Sequence, residues 1–134
     1  MTDFRHSNHS VSLIQYHITM SPKYRKALLV NSIDSRLKEI VSELAKEKEW
    51  KLTGMEVMPD HVHILIEASP KWAVSEIIKF IKGRSSFLLR KEFPALKESI
   101  RDMLWTHSFF VCSVGGSNEE IVKKYIENQK REMR

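Results

Sequence analysis

Two strand-like segments, residues 50–58 and 61–68, are separated only by Pro59 and Asp60. Apolar and β-branched side chains recur through both, and a Pro-Asp pair between such runs is a turn signal. Two strands this close satisfy their backbone groups most economically as an antiparallel hairpin. That hairpin constrains the fold class, because its apolar side must be covered by another layer.

The rest of the chain supplies that layer. Residues 12–20 (SLIQYHITM) alternate roughly between apolar and polar and read as a strand, ended by Ser21-Pro22. Asn31 or Ser32 can cap a helix running to about residue 48, with Ile33, Leu37, Ile40, Val41 and Leu44 on one stripe. A second helix is expected over 73–91, with Val74, Ile77, Ile78, Ile81 and Leu88 facing inward. Pro94 marks an irregular or short helical connection, and residues 109–114 (FFVCSV) read as a fourth strand before Gly115-Gly116. Ser117 and Glu120 have capping-box spacing, which predicts a last helix over 118–132.

The first six elements follow the order β-α-β-β-α-β. The expected class is α+β and ferredoxin-like: an antiparallel sheet with helices on one face, plus a C-terminal helix bearing Tyr125. The polar residues 1–10 are expected as a flexible extension, and residues 11–134 as one domain.

Composition sets wide bounds. The 134 residues carry 22 Lys+Arg against 17 Asp+Glu, a formal net charge of +5 that suits a polyanionic partner without specifying one. A single cysteine, Cys112, excludes an internal disulfide framework and any Cys-rich zinc module. The first residues lack the apolar core of a signal peptide, and no apolar run is long enough to span a bilayer. A cytoplasmic protein with no membrane partner is expected.

The chemistry concentrates in PDHVHILI, residues 59–66. On a strand, residues two apart face the same way, roughly 6–7 Å from one another. His61 and His63 can therefore converge on one ion while Val62 and Ile64 point into the core. By spacing alone, a metal pair and a structural or solvent-facing pair both remain open. On the last predicted helix Tyr125 and Gln129 are four residues apart and share a face. A tyrosine among Ile121, Val122 and Ile126 is ordinarily core, but a core role does not account for Gln129, whose carboxamide suits a hard cation.

PDHVHILIE with a downstream YIENQ helix resembles the IS200/IS605 single-tyrosine transposases of the HUH endonuclease superfamily. Tyr16-His17, Lys23-Tyr24-Arg25, IIKFIKGRSS and WTHSFFVCSV follow in the same order, so the resemblance runs from about residue 12 to 130. It implies a divalent metal, Mg²⁺ or Mn²⁺, on His61, His63 and Gln129, with Tyr125 as the nucleophile that forms a 5′-phosphotyrosine. It implies single-stranded DNA with hairpin ends as substrate, and a homodimer. Lys82, Arg84, Lys23, Arg25 and Lys124 are the expected phosphate contacts, against the general alternative of a solvated basic face. His17 and Asp60 are expected either as supports behind the ligands or as an ordinary sheet histidine and turn aspartate. Trp105 and Phe109 suit base stacking or, more ordinarily, the core. Two rival readings are a domesticated relative acting on host repeat hairpins and a non-catalytic nucleic-acid-binding module.

Overall fold

The computed structural model describes residues 13–114. The predicted final helix, with Lys124, Tyr125 and Gln129, lies outside the described residues, as does the extension 1–10.

Four strands form one sheet: β1 (Ile14–Met20), β2 (Lys51–Met58), β3 (His61–Ala68) and β4 (Phe110–Val114). Their spatial order is β2-β3-β1-β4, with every neighbouring pair antiparallel. Among the described residues three α-helices accompany them: α1 (Ile33–Glu47), α2 (Val74–Glu92) and the short α3 (Pro94–Ser99). The described residues thus form the α+β, ferredoxin-like arrangement expected from the element order. The Pro59-Asp60 hairpin closes with Met58 opposite His61. Further along it, the register shifts between Leu52 and Gly54, where a Cβ on Gly54 would come 3.1 Å from Leu65 Cδ1.

The core lies on one side of the sheet. Ile18 and Met20 from β1 and Val62, Ile64 and Ile66 from β3 cluster with Leu37, Ile40, Val41 and Leu44 of α1 and Ile77, Ile78 and Ile81 of α2. Both helices therefore cover the same sheet face, as their apolar stripes predict. Ile33, Val74 and Leu88 are half-buried and pack against this cluster as the stripes predict, and Leu89 joins them as a fully buried leucine of α2.

The helix ends are built differently from the expected ones. Ser32 precedes α1 in a left-handed conformation (φ 83°) and makes no side-chain cap. At α2 the expected start at residue 73 is the residue before the helix, and Glu76 reaches back to accept a hydrogen bond from the Ala73 amide at 3.0 Å. That is one half of a capping box, since alanine has no oxygen to return the bond. Pro94 opens α3 at a position where its missing N–H costs nothing.

Beyond α3 the chain is tied down segment by segment. The Lys23 amide donates to the Leu104 carbonyl (2.9 Å) and the Thr106 amide to that of Ser21 (2.8 Å). Trp105 is completely buried, and its indole N–H donates to Ser85 Oγ at 2.9 Å. Ser86 Oγ accepts from the Leu104 amide at 2.9 Å. These contacts aim β4 alongside β1, on the rim of the opposite sheet face.

Candidate functional site

Strand alternation sends His17 and Thr19 of β1 and His61 and His63 of β3 to the sheet face away from α1 and α2. Thr19 lies directly across from His63 in the β1–β3 register. The two β3 rings sit 5.0 Å apart, centroid to centroid, and nearly perpendicular at 89°. They open onto a cleft of about 270 Å³ lined also by His17, Thr19, Ser21, Arg25 and Phe110.

Each histidine is held by a different device. His63 Nδ1 lies 3.0 Å from His17 Nε2 and 3.2 Å from Thr19 Oγ1. Burial lowers the pKa of His17, which favours its neutral form. A single proton then lies between the two imidazoles, on one nitrogen or the other. His61 Nδ1 lies 2.8 Å from Asp60 Oδ1, and the other oxygen of that carboxylate accepts from Arg25 Nη2 at 3.0 Å. Burial works to raise the Asp60 pKa, but the hydrogen bond to His61 and the Arg25 charge outweigh it and hold the group below the usual carboxylate range.

One atom stands out. His61 Nε2 is buried and has no hydrogen-bond partner among the described residues. An unsatisfied polar atom in a buried position calls for an occupant or a cost. An imidazole nitrogen beside a second imidazole, in a cleft, is a fitting donor pair for a divalent cation. Among the described residues no set of three or more His, Cys, Asp and Glu could hold an ion. A complete ligand set therefore needs a further donor, and the expected one, Gln129, lies outside the described residues.

The other expected site residues fall into two groups. Lys23 and Arg25 sit on a short 3₁₀ turn (Lys23–Arg25) beside the cleft, with Tyr24 and Arg25 both left-handed at φ 64° and 51°. Tyr24 is 83% exposed. Arg84 is exposed on α2. Lys82, from the same helix, has another occupation: its ammonium donates to the carbonyls of Thr106 (2.7 Å), His107 (3.1 Å) and Ser108 (3.3 Å). Three donors matched to three acceptors leave that group none for a phosphate. Ser85 and Ser86, whose hydroxyls follow Lys82 along α2, are buried and turned toward the segment before β4. Trp105 belongs to the core, and Phe109 is partly exposed with its ring 5.1 Å from the Lys82 ammonium.

Phe110 was not singled out by the sequence. Its ring is 61% exposed, stands edge-on to His17 at 6.4 Å and lines the cleft. The signal available was its position: as the first residue of β4 it faces the same way as Thr19, its partner in register.

A family model described as IS200-like transposase matches residues 10–129. The chain is 35% identical over 117 residues to the ISDra2 transposase TnpA of Deinococcus radiodurans, covering 87% of this chain and 84% of that protein. It is 32% identical over 119 residues to the transposase for insertion sequence element IS200 of Salmonella typhimurium, covering 88% and 78%. A crystal structure assigned to a transposase of Deinococcus radiodurans superposes with a TM-score of 0.76 at 32% identity, covering 96% of this chain and 98% of that one. A REP-associated tyrosine transposase bound to a REP hairpin shares the fold, with a TM-score of 0.62 at 11% identity over 92% of this chain and 68% of that one.

Proposed function

The chain belongs to the IS200-like transposases, single-tyrosine members of the HUH superfamily, and we propose that it cleaves and rejoins single-stranded DNA at insertion-sequence ends. The observation that carries this reading is the unsatisfied His61 Nε2, on a ring that lines a cleft together with His63. The family match extends over both Tyr125 and Gln129, and the 32–35% identities are to transposases of insertion sequences.

In this reading His61, His63 and Gln129 hold Mg²⁺ or Mn²⁺, which when bound supplies Lewis-acid polarisation of the scissile phosphate. Tyr125 is the nucleophile. Its Oη bonds to phosphorus and the bond from phosphorus to O3′ breaks. The departing 3′-oxygen takes up a proton while the phenolic proton is lost to solvent. The 5′-phosphotyrosine conserves the phosphodiester bond energy, so a 3′-hydroxyl from another strand can reverse the step without ATP. A phenol with an ordinary pKa near ~10 is a poor nucleophile at neutral pH, which is why the reaction needs charge stabilisation at the phosphate.

The chain's other groups position the strand. Arg25 and Lys23 lie beside the cleft as phosphate contacts, and Arg84 and Lys124, the latter next to Tyr125 in sequence, add further ones. Phe110 offers an exposed ring on which a base near the scissile bond can stack. The active species in this reading is a homodimer, and light scattering of the purified protein tests it.

The test is incubation with labelled single-stranded hairpin DNA and Mg²⁺. Wild-type protein forms a denaturation-resistant protein–DNA adduct, and Tyr125→Phe forms none and cleaves nothing. Strand cleavage retained by Tyr125→Phe defeats the covalent mechanism, and activity confined to duplex DNA defeats the substrate assignment.

A further inference from the structure

We infer that Arg25, Asp60 and His61 form a positioning chain that fixes the His61 tautomer and presents the bare Nε2 lone pair to the cleft. The inference rests on the reading of His61 as a metal ligand and extends it to how that ligand is prepared.

The argument begins with donors and acceptors. An ionised carboxylate only accepts, so the proton between Asp60 Oδ1 and His61 Nδ1, 2.8 Å apart, belongs to the ring nitrogen. A neutral imidazole carries one proton, so Nε2 is then an unprotonated lone pair. That agrees with the second, separate observation at this ring. Nε2 is buried without a partner among the described residues, and of its two forms only the bare lone pair can bind a cation. Asp60 thus does for His61 what carboxylates behind metal-bound histidines do generally: it sets the tautomer and fixes the ring.

Arg25 completes the chain. Asp60 is a hairpin-turn residue with two free torsions, and its carboxylate needs a second restraint to stay on the ring. Arg25 Nη2 supplies it on the other oxygen at 3.0 Å. The backbone that delivers Arg25 is unusual, with two successive left-handed non-glycine residues, Tyr24 at φ 64° and Arg25 at φ 51°. Such conformations persist where the surroundings demand them. Arg25 also lines the cleft, so the group that restrains Asp60 borders the space a DNA phosphate would occupy. Asp60 is accordingly a positioning residue that acts through His61, and Arg25 positions Asp60 through one guanidinium nitrogen in addition to the phosphate contact proposed for it.

The experiment measures Mn²⁺ binding to the full-length, DNA-free protein by calorimetry. Asp60→Ala is expected to weaken Mn²⁺ about 10- to 100-fold, the usual loss when such a support is removed. Asp60→Asn, whose amide oxygen still accepts from Nδ1–H, recovers most of the affinity, and Arg25→Ala falls between Asp60→Ala and wild type. A His61→Ala, His63→Ala double variant serves as reference. If it loses Mn²⁺ while Asp60→Ala binds as wild type does, the positioning chain is wrong and the metal reading survives. If the double variant binds as wild type does, both fall together. Wild-type affinity in Arg25→Ala removes Arg25 from the chain. A second measurement needs no variant: nitrogen-15 NMR of the metal-free wild type should show His61 protonated on Nδ1, and a proton on Nε2 overturns the inference.

Discussion

Along β3, Val62, Ile64 and Ile66 are completely buried on one face of the sheet, while His61 and His63 are 6% and 2% exposed on the other. Depth does not distinguish the two faces; what the neighbours offer does. The apolar residues are surrounded by the stripes of α1 and α2, where the stabilising quantity is area removed from water and volume filled. The histidines gain little from area. Each ring nitrogen must meet a particular atom, and the structure supplies His17, Thr19 and Asp60 for the Nδ1 side of both rings. One face is specified by shape, the other by atoms, and the alternation of a single strand keeps the two requirements independent.

The sharpest break in that comparison comes from the site face. Replacing His61 and His63 together by Ala is expected to abolish Mg²⁺-dependent strand cleavage. Loss of several kcal/mol of charge stabilisation at phosphorus is a fall on the order of 10³-fold or more. The secondary structure and the cooperative unfolding of the double variant should persist, since the helical layer touches neither ring. Circular dichroism and a gel assay on the same preparation check both halves. A double variant that no longer unfolds cooperatively would show that the site face also carries the fold.

The converse substitution is Ile64→Ala, one residue along the same strand. It leaves a cavity between the sheet and its helices and should destabilise the protein by ~2–5 kcal/mol in a denaturant titration. The folded fraction should still bind Mn²⁺ as tightly as wild type does. A loss of affinity in the folded fraction would mean that the two faces are coupled through the strand after all.

How far the sequence could foresee this follows the same division. The core face was readable because period two on the strands and three-to-four spacing on the helices are local patterns. Leu89, buried beside the half-buried Leu88, is the one core leucine of α2 that the stripe does not single out, since periodicity does not separate adjacent residues at a stripe edge. His61 and His63 were readable for the same local reason. Their supports were not: the partners of His63 are 46 and 44 residues away, and that of Asp60 is 35 away. The segment IIKFIKGRSS shows the limit most plainly. Read locally it is a basic, hydroxyl-bearing surface, yet Lys82, Ser85 and Ser86 satisfy backbone and indole groups of residues 104–108. No local pattern announces that a distant loop will lack partners.

A second arginine–carboxylate pair sharpens the contrast at the smallest scale. Arg25 holds Asp60 at the cleft, and Arg36 of α1 holds Glu92 at the end of α2, Nε to Oε1 at 2.7 Å and Nη2 to Oε2 at 3.0 Å. The hydrogen bonds from Arg36 lower the Glu92 pKa; burial opposes them, and the charges of Arg36 and Lys91 add to the lowering. A carboxylate whose folded pKa lies below its unfolded one contributes stability that is present above the unfolded value. That contribution is lost as pH falls through the folded value. Wild type should therefore exceed Glu92→Gln in stability at neutral pH, by the least of the differences predicted here, because both partners are open to solvent screening. Stability curves of the two proteins should converge as pH drops below the ordinary carboxylate range. Mn²⁺ affinity should be identical in both, since this pair ties helix to helix on the layer remote from the histidines. If the curves instead stay parallel into acid, Glu92 acts through packing rather than charge. If Glu92→Gln changes Mn²⁺ affinity, the helical layer and the site face are not the separate regions that β3 makes them.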